Sequence, residues 1–390
     1  MPQTNTLDTL PRSRPDRADH QRIIIVADDL TGACDSGVAF LTTGRTVRVM
    51  LDPSVFDAGI EDLLAAGRGS NVVAFTTETR DLTEEQAKMR VMKCTTALTS
   101  AWEQSIVFKK VDSAARGHLG AETIAALEAS GAALALVTPA FPQTERTVHS
   151  GILSVRDCSG QDARISLRDQ FMGVDSAQID FLRAGPDVNL LLGIDRAIAH
   201  GTRILICDAD TQEDLERLAE AATQLQQPVL WAGSAGLARA LAKALPMPPR
   251  EIGIAAAQRK GRTLLFVGTD HPVTILQLSH LREHCDGVRD AIFQVQYGST
   301  SEQEVRATFT AEPAGALILT GGDTASFVLR SLDASSIVLA GELAPGIPWG
   351  FVEGGVADGC VVVTKSGGFG NRDALVEACE FCDRRSYEPA

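Results

Sequence analysis

The sequence predicts an α/β protein of two α/β domains, each built on a mostly parallel sheet, facing an interdomain cleft. Three observations carry that expectation. Short apolar runs alternate with helix-like segments almost from end to end of the 390 residues, the rhythm of β-α-β units. The rhythm breaks at Pro246-Met247-Pro248-Pro249-Arg250, where the prolines cannot continue a helix. Polar or glycine-rich stretches follow the strand-like runs directly, and open α/β sheets bind ligands at those carboxyl ends.

In chain order, residues 1–22 are acidic and basic by turns (Asp8, Arg12, Arg14, Asp16, Arg17, Asp19, Arg22) and read as a flexible tail rather than a signal peptide. Residues 23–27 (IIIVA) are the first buried strand, followed by a helix over 32–41 and strands over 47–51 and 72–76. A helix over 82–102 opens with acids at Glu84 and Glu85, which suit the positive end of its dipole. Strands at 106–111 and 133–138 flank a helix at 121–129, and a polar, irregular stretch covers 159–183. Strand 204–207, helix 213–223, strand 229–232 and helix 237–245 complete a first domain over 23–248. A linker spans 249–261. The second domain, 262–390, runs strand 264–267, helix 274–283, strand 293–297, helix 302–308, strand 316–319, helix 324–332, strand 361–364 and a last helix from Arg372.

Composition narrows the function. Apolar residues make up 44% and charged residues 22%, which is ample for a packed core. The net charge of −14 disfavours nucleic acid and anionic membranes as partners, since both are held by Lys and Arg. No apolar run reaches the roughly 18–20 residues that a membrane-spanning helix needs. The 8 cysteines are sparse, and Cys379-x-x-Cys382 lacks a second ligand pair, so they read as core residues in a reducing cytoplasm.

The strand exits hold the chemistry. Asp28 and Asp29 are adjacent carboxylates after the first strand: one can cap the next helix, and the other then needs a cation or hydroxyl partner. Lys109-Lys110-Val111-Asp112-Ser113-Ala114-Ala115-Arg116-Gly117-His118 gathers cations suited to clamping a carboxylate or phosphate, the bland reading being a solvated strand exit. Arg80 could grip a substrate carboxylate or pair with Asp81 or Glu84 at the surface. The Pro139-Ala140-Phe141-Pro142 loop, running on to Arg146, reads as a rigid connection, and Gly233-Ser234-Ala235-Gly236 as close helix packing or a cleft contact. In the second domain the exits are glycine-rich: Gly268-Thr269-Asp270-His271, Gly321-Gly322-Asp323-Thr324 and Ser366-Gly367-Gly368-Phe369-Gly370. Bare glycine backbones and helix N-termini suit nucleotide phosphates. A Walker A loop and a Rossmann fingerprint are both lacking, which counts against a nicotinamide-linked dehydrogenase. His280-Leu281-Arg282-Glu283-His284 matches an inverted zinc-peptidase pattern but reads as a polar helix face.

The segments ADDLTGACD (27–35), KKVDSAARG (109–117), PAFPQTERT (139–147), GSAGLA (233–238), GGDTA (321–325) and PGIPWG through VTKSGGFG (345–370), in this order, resemble the four-carbon acid sugar kinases. The chain departs from the pattern at Ala114-Ala115 and at Thr269-Asp270-His271. The resemblance implies an acid-sugar-binding N-terminal domain, an ATP-binding C-terminal domain, and ATP-dependent phosphorylation of a terminal hydroxyl. D-threonate is the first expected substrate and D-erythronate the next. The alternatives are a 3-oxo-tetronate kinase and a non-catalytic nucleotide or sugar-acid binding protein, and a homo-oligomer is compatible with either. On this reading Arg80, Lys110 and Arg116 hold the substrate's negative charge, while Asp28, Asp112 and Ser113 line its hydroxyls. Asp29 and Asp323 are rival catalytic bases. Gly321, Gly322, Asp323, Thr324, Ser366, Gly367, Gly368 and Gly370 cradle ATP phosphates, with Thr269 or His271 near the nucleotide and Mg²⁺ bridging phosphate oxygens. No direct metal ligand is assigned.

Overall fold

The computed structural model describes residues 22–51, 59–156, 162–247, 259–284, 291–296 and 298–387. Nearly all of the expected tail and most of the expected linker lie outside these residues.

The N-terminal half runs β1 (Ile23–Ala27), α1 (Leu30–Val38), β2 (Val47–Met50), α2 (Ile60–Ala66), β3 (Val72–Thr76), α3 (Glu84–Ala101), β4 (Ile106–Lys110), α4 (Leu119–Ser130) and β5 (Ala135–Thr138). It continues through β6 (Arg146–His149), β7 (Ile152–Arg156), β8 (Asp162–Ser166), β9 (Ile179–Arg183), α5 (Leu190–Ala199), β10 (Ile204–Asp208), α6 (Gln212–Ala222), β11 (Leu230–Gly233) and α7 (Ala235–Ala244). The C-terminal half runs β12 (Arg262–Val267), α8 (Pro272–His284), β13 (Ile292–Gln294), α9 (Glu302–Ala311), β14 (Ala314–Thr320) and α10 (Gly322–Ser331). It ends with β15 (Ser336–Ala344), β16 (Ile347–Glu353), β17 (Val361–Lys365) and α11 (Ala374–Tyr387).

The apolar runs become the interior strands because only there can their side chains leave water on both faces. All residues of β1 are buried, and it sits between β3 and β4 in parallel register, with Ala27 level with Thr76 and Lys110. Helix starts follow their caps. Thr83 accepts from the Gln86 amide while the Gln86 side chain returns to Thr83, and Asp29 accepts from Gly32 at the head of α1.

The α/β class holds, and the two halves share one sheet of 14 strands in the order β13-β12-β14-β17-β16-β15-β2-β3-β1-β4-β11-β5-β10-β9. The join is β15 against β2, antiparallel, with Ile337 opposite Val49. The pairings reverse direction at β2–β15, β15–β16 and β16–β17, so the parallel strands of the C-terminal half run opposite to those of the N-terminal half. Register shifts between Leu339 and Gly341, and again between Glu342 and Ala344, bend the joining hairpin. The strand exits of the two halves meet across this bend.

Two expectations are corrected. The stretch 159–183, read as irregular, contains β8 and β9: β9 pairs with β10 at the edge of the large sheet, and β8 belongs to a separate antiparallel sheet, β6-β7-β8. The first three residues of β8 are exposed, so it carries no apolar run to betray it. The hairpin β15–β16 went unpredicted because Gly341, Pro348 and Gly350 interrupt its strands, and these residues ordinarily argue against one.

Candidate active site at the facing strand exits

The N-terminal exits form a dense charge network. Arg80, in the turn after β3, donates from Nε and Nη2 to Asp28 Oδ2 at 3.1 and 2.7 Å. Its Nη1 donates to Asp29 Oδ2 at 2.9 Å, and its Nη2 reaches Asp112 Oδ1 at 3.4 Å. Arg80 therefore pairs with the carboxylates of the β1 and β4 exits. Arg116 grips Asp112 with two bonds, Nη2 to Oδ1 at 2.6 Å and Nε to Oδ2 at 3.0 Å, the fork geometry that suits arginine. The Ala114 and Arg116 amides also donate to Asp112 Oδ2 and fix the loop. Ala115 takes a positive φ of 54° to make that turn.

Burial and charge oppose each other here. Burial raises the Asp112 carboxyl, but the Arg116 hydrogen bonds and charge, with Arg80 behind them, hold it well below the usual carboxylate range. Asp28 is likewise driven up by burial and pulled lower on balance by Arg80, then by Lys110 and Lys109. One of its oxygens, Oδ1, is buried with no partner. Burial would lower the Arg80 guanidinium, but Asp29, Asp28 and Asp112 together keep it firmly charged.

The two lysines of β4 separate as strand alternation requires. Lys109 is fully buried against Glu122 of α4 at 2.7 Å and serves the fold. Lys110 points into the smaller of two adjoining cavities, with its Nζ donating to Val111 O at 2.9 Å. Asp29, Asp35, Arg80, Asp112, Ser113 and Arg116 also line that cavity. Asp28 supports it from behind through Arg80.

The C-terminal exits present backbone instead. Gly321 has φ 94°, open to glycine, and its amide donates to Lys365 O at 2.8 Å, tying the β14 exit to that of β17. A Cβ on Gly322 would stand 2.6 Å from Asp29 Oδ2, so only glycine lets the head of α10 approach Asp29 this closely. Lys365 Nζ donates to Thr274 Oγ1 at 3.0 Å and to the carbonyls of Ser366, Gly367 and Phe369 at 3.1, 3.2 and 3.1 Å. Gln277 Nε2 donates to the carbonyls of Phe369, Gly370 and Asn371. With its carbonyls drawn back to these two side chains, the 366–370 loop is ordered along the wall of a cleft of about 1120 Å³. Gly268, Thr269, His271, Asp323 and Thr324 line the same cleft. Burial, followed by the Lys365 charge, lowers His271, while burial and then Asp81 and Asp29 raise the Asp323 carboxyl.

The expected residues thus gather into two adjoining cavities, sugar-acid candidates in one and nucleotide candidates in the other. Asp29, Arg80, Arg116, Ser366 and Phe369 border both. Several lining residues had no assigned role in the sequence: Asp35, Phe141 and Gly346 in the small cavity, and Arg146 in the large one, while Ser234 takes the cleft position that its turn allowed. The Phe141 and Phe369 rings lie 6.3 Å apart, with Arg146 stacked 5.3 Å over Phe369, so the proline loop reaches the site it was expected only to shape. Ser234 both caps α7 and donates to Ala140 O at 2.5 Å, combining close packing with a place in the cavity wall. The signal for these was their position after strands; what they touch depends on how the halves meet. Another cavity, of about 560 Å³, opens beside α4 near Asp169 and Arg203; Gly117 and His118 from the end of the β4 exit line it, but Asp29, Arg80, Asp112 and Arg116 do not.

A charge-lined cavity that meets a glycine-lined one is the layout a two-substrate transferase needs, with room for a small polar acceptor beside a phosphate-bearing donor. Comparison with known proteins gives the same division. A family described as a sugar-binding N-terminal domain matches residues 23–182 and 173–241, and one described as a nucleotide-binding C-terminal domain matches 253–375. The D-threonate kinase of Bordetella bronchiseptica is 32% identical over 413 residues, covering 93% of this chain and 98% of that protein. The D-erythronate kinase of Heliobacterium modesticaldum is 25% identical, covering 92% of this chain and 96% of that protein. A Salmonella typhimurium structure described as a putative tRNA synthase shares the fold, with a TM-score of 0.68 at 19% identity over 93% of this chain and 99% of that one. The chain belongs to the four-carbon acid sugar kinase family, and it is a phosphotransferase.

Proposed function

We propose that the protein transfers the γ-phosphoryl group of ATP to the terminal 4-hydroxyl of D-threonate, with D-erythronate as the next-best acceptor and a 3-oxo-tetronate third. The acid sugar occupies the N-terminal unit, 23–248, and the nucleotide the C-terminal unit, 262–390. The carrying observation is that Asp29, Arg80 and Arg116 border both cavities, which is where an acceptor hydroxyl must meet a terminal phosphate.

Phosphoryl transfer asks the protein mainly for position and charge. Arg80 and Arg116 share their donors between the resident carboxylates and the substrate's anionic groups, with Lys110 adding charge from the cavity floor. Asp112 and Ser113 orient hydroxyls. Asp29 is favoured over Asp323 as the base, because it lies against Gly322 at the junction while Asp323 lines only the nucleotide cleft. The glycine-rich loops offer amides to the phosphates, and Thr269 and His271 flank the nucleotide. Asp323, whose carboxyl is raised by burial and then by the charges of Asp81 and Asp29, is the residue of the cleft that would hold a magnesium ion. When bound, Mg²⁺ would neutralise phosphate charge.

The test is a coupled ADP-release assay over a panel of C4 and C5 sugar acids with ATP and Mg²⁺. D-threonate should give the highest kcat/KM. A higher value for a 3-oxo acid would reassign the acceptor, and turnover of none would remove the reading.

A further inference from the structure

We propose that the outer end of α8 carries a transition-metal site of Zn²⁺ type, formed by His280, Glu283 and His284 and backed by Asp373. These three side chains stand at i, i+3 and i+4 on one helix face, and one ligand atom from each lies within 4.8 Å of the others. The two imidazole rings are 4.0 Å apart between centroids.

The hydrogen bonds set the nitrogens for coordination. His284 Nδ1 lies 2.9 Å from His280 O, and a carbonyl only accepts, so Nδ1 holds the proton and Nε2 keeps its lone pair. His280 Nε2 lies 2.7 Å from Asp373 Oδ1, while its Nδ1 is buried with no partner. A carboxylate behind one ring nitrogen and an unpaired lone pair on the other is the arrangement by which proteins orient a metal-binding histidine. Two imidazoles and a carboxylate leave a tetrahedral ion one position for water. The competing cation, Arg372, is 3.9 Å from Glu283, with both side chains well exposed, and such a contact is weak.

The position gives the ion work to do. Gln277, nearly one turn earlier on α8, holds the carbonyls of Phe369, Gly370 and Asn371, and Asp373 lies two residues further along the chain. An ion at His280 would pin α8 to this segment a second time and stiffen the glycine-rich loop from behind. The ion's assigned part is to hold this loop, with no peptidase chemistry assigned to the H-x-x-E-H pattern.

Chelator-treated full-length protein should take up one zinc ion in a calorimetric titration run with Mg²⁺ present, and its melting temperature should rise. His284→Ala should weaken zinc binding about 10- to 100-fold or more, and Asp373→Asn by about 10-fold. Without zinc, His284→Ala should keep the wild-type melting temperature and kinase rate, which separates metal loss from misfolding and makes the outcome independent of the assigned sugar acid. Co²⁺ bound in place of zinc should show no thiolate charge-transfer band. Undiminished zinc binding by His284→Ala, no binding by the wild type, or a thiolate band would each overturn the site.

Discussion

On the proposed function, the two sides of the cleft hold their anions by opposite means. The N-terminal side uses long charged side chains that are already engaged with one another: Arg80 with Asp28, Asp29 and Asp112, and Arg116 with Asp112. The C-terminal side keeps Lys365, its one buried cation among the described residues, turned inward on carbonyls and offers backbone outward. The difference suits the ligands. A small acid with several hydroxyls is recognised by exchanging partners within a preformed network, which rewards correct stereochemistry and penalises a missing hydroxyl. A polyphosphate presents the same oxygens whatever follows, and main-chain amides at a helix start hold it without side-chain ordering.

The largest test of this contrast sits where the sides touch. Asp29→Asn should lower kcat by about 10²- to 10⁴-fold with KM for ATP nearly unchanged, the loss expected for a general base. Asp323→Asn should act mainly on KM for ATP. Steady-state kinetics of both variants decide it: if Asp323→Asn shows the larger kcat loss, the reactive carboxylate belongs to the glycine side and the division of labour fails.

The same contrast explains how much was legible in the sequence. Charged residues directly after an apolar run are conspicuous, so Asp28, Asp29, Lys110, Asp112 and Arg116 could be singled out, and the glycine turns stood out by composition. The separation of Lys109 from Lys110 appears only in the structure, where Lys109 pairs with Glu122 and Lys110 lines the small cavity. The pairing of Arg80 could not be read, because its partners come from strands 51 and 32 residues away. Nor could the continuous sheet: it rests on β15 joining β2, a long-range pairing that uses a strand interrupted by Gly341. Asp35 escaped notice because a lone acid in a short helix looks solvated, yet every residue of α1 is buried.

A middle-sized effect is expected at Lys365. Burial pushes its ammonium down to about 7, so the charge that gathers the loop carbonyls is present below that pH and lost above it. Lys365→Met should raise KM for ATP by about tenfold, on the order of one hydrogen-bonded charge (~1.5 kcal/mol), while KM for the sugar acid stays put. In the wild type, KM for ATP should climb as pH passes through about 7, and in the variant that climb should disappear. Equal shifts in both KM values would mean that Lys365 supports the whole fold rather than one side of the cleft.

The smallest effect is expected at Asp35, the acid of the charged side that lacks the network's protection. It lines the small cavity, Oδ1 has no partner, and burial, partly offset by Lys110 and Arg239, raises its carboxyl to about 6. The folded protein therefore holds this proton more tightly than the unfolded chain, whose carboxyl titrates near its ordinary value of about 4. Stability on this account is highest below about pH 4 and falls as pH rises to about 6, to a cost of at most about 3 kcal/mol, the reverse of the paired Asp112. Asp35→Asn removes the titration while keeping the shape. Its melting temperature should match the wild type near pH 4 and exceed it by a few degrees above pH 6, at the expense of affinity for the sugar acid, since a destabilised polar group in a binding cavity is commonly kept for its ligand. Thermal unfolding across pH 4 to 8 checks this: a gap of constant size would mean that the Asp35 carboxyl is already satisfied without substrate, and the charged side of the cleft would then be uniformly paired.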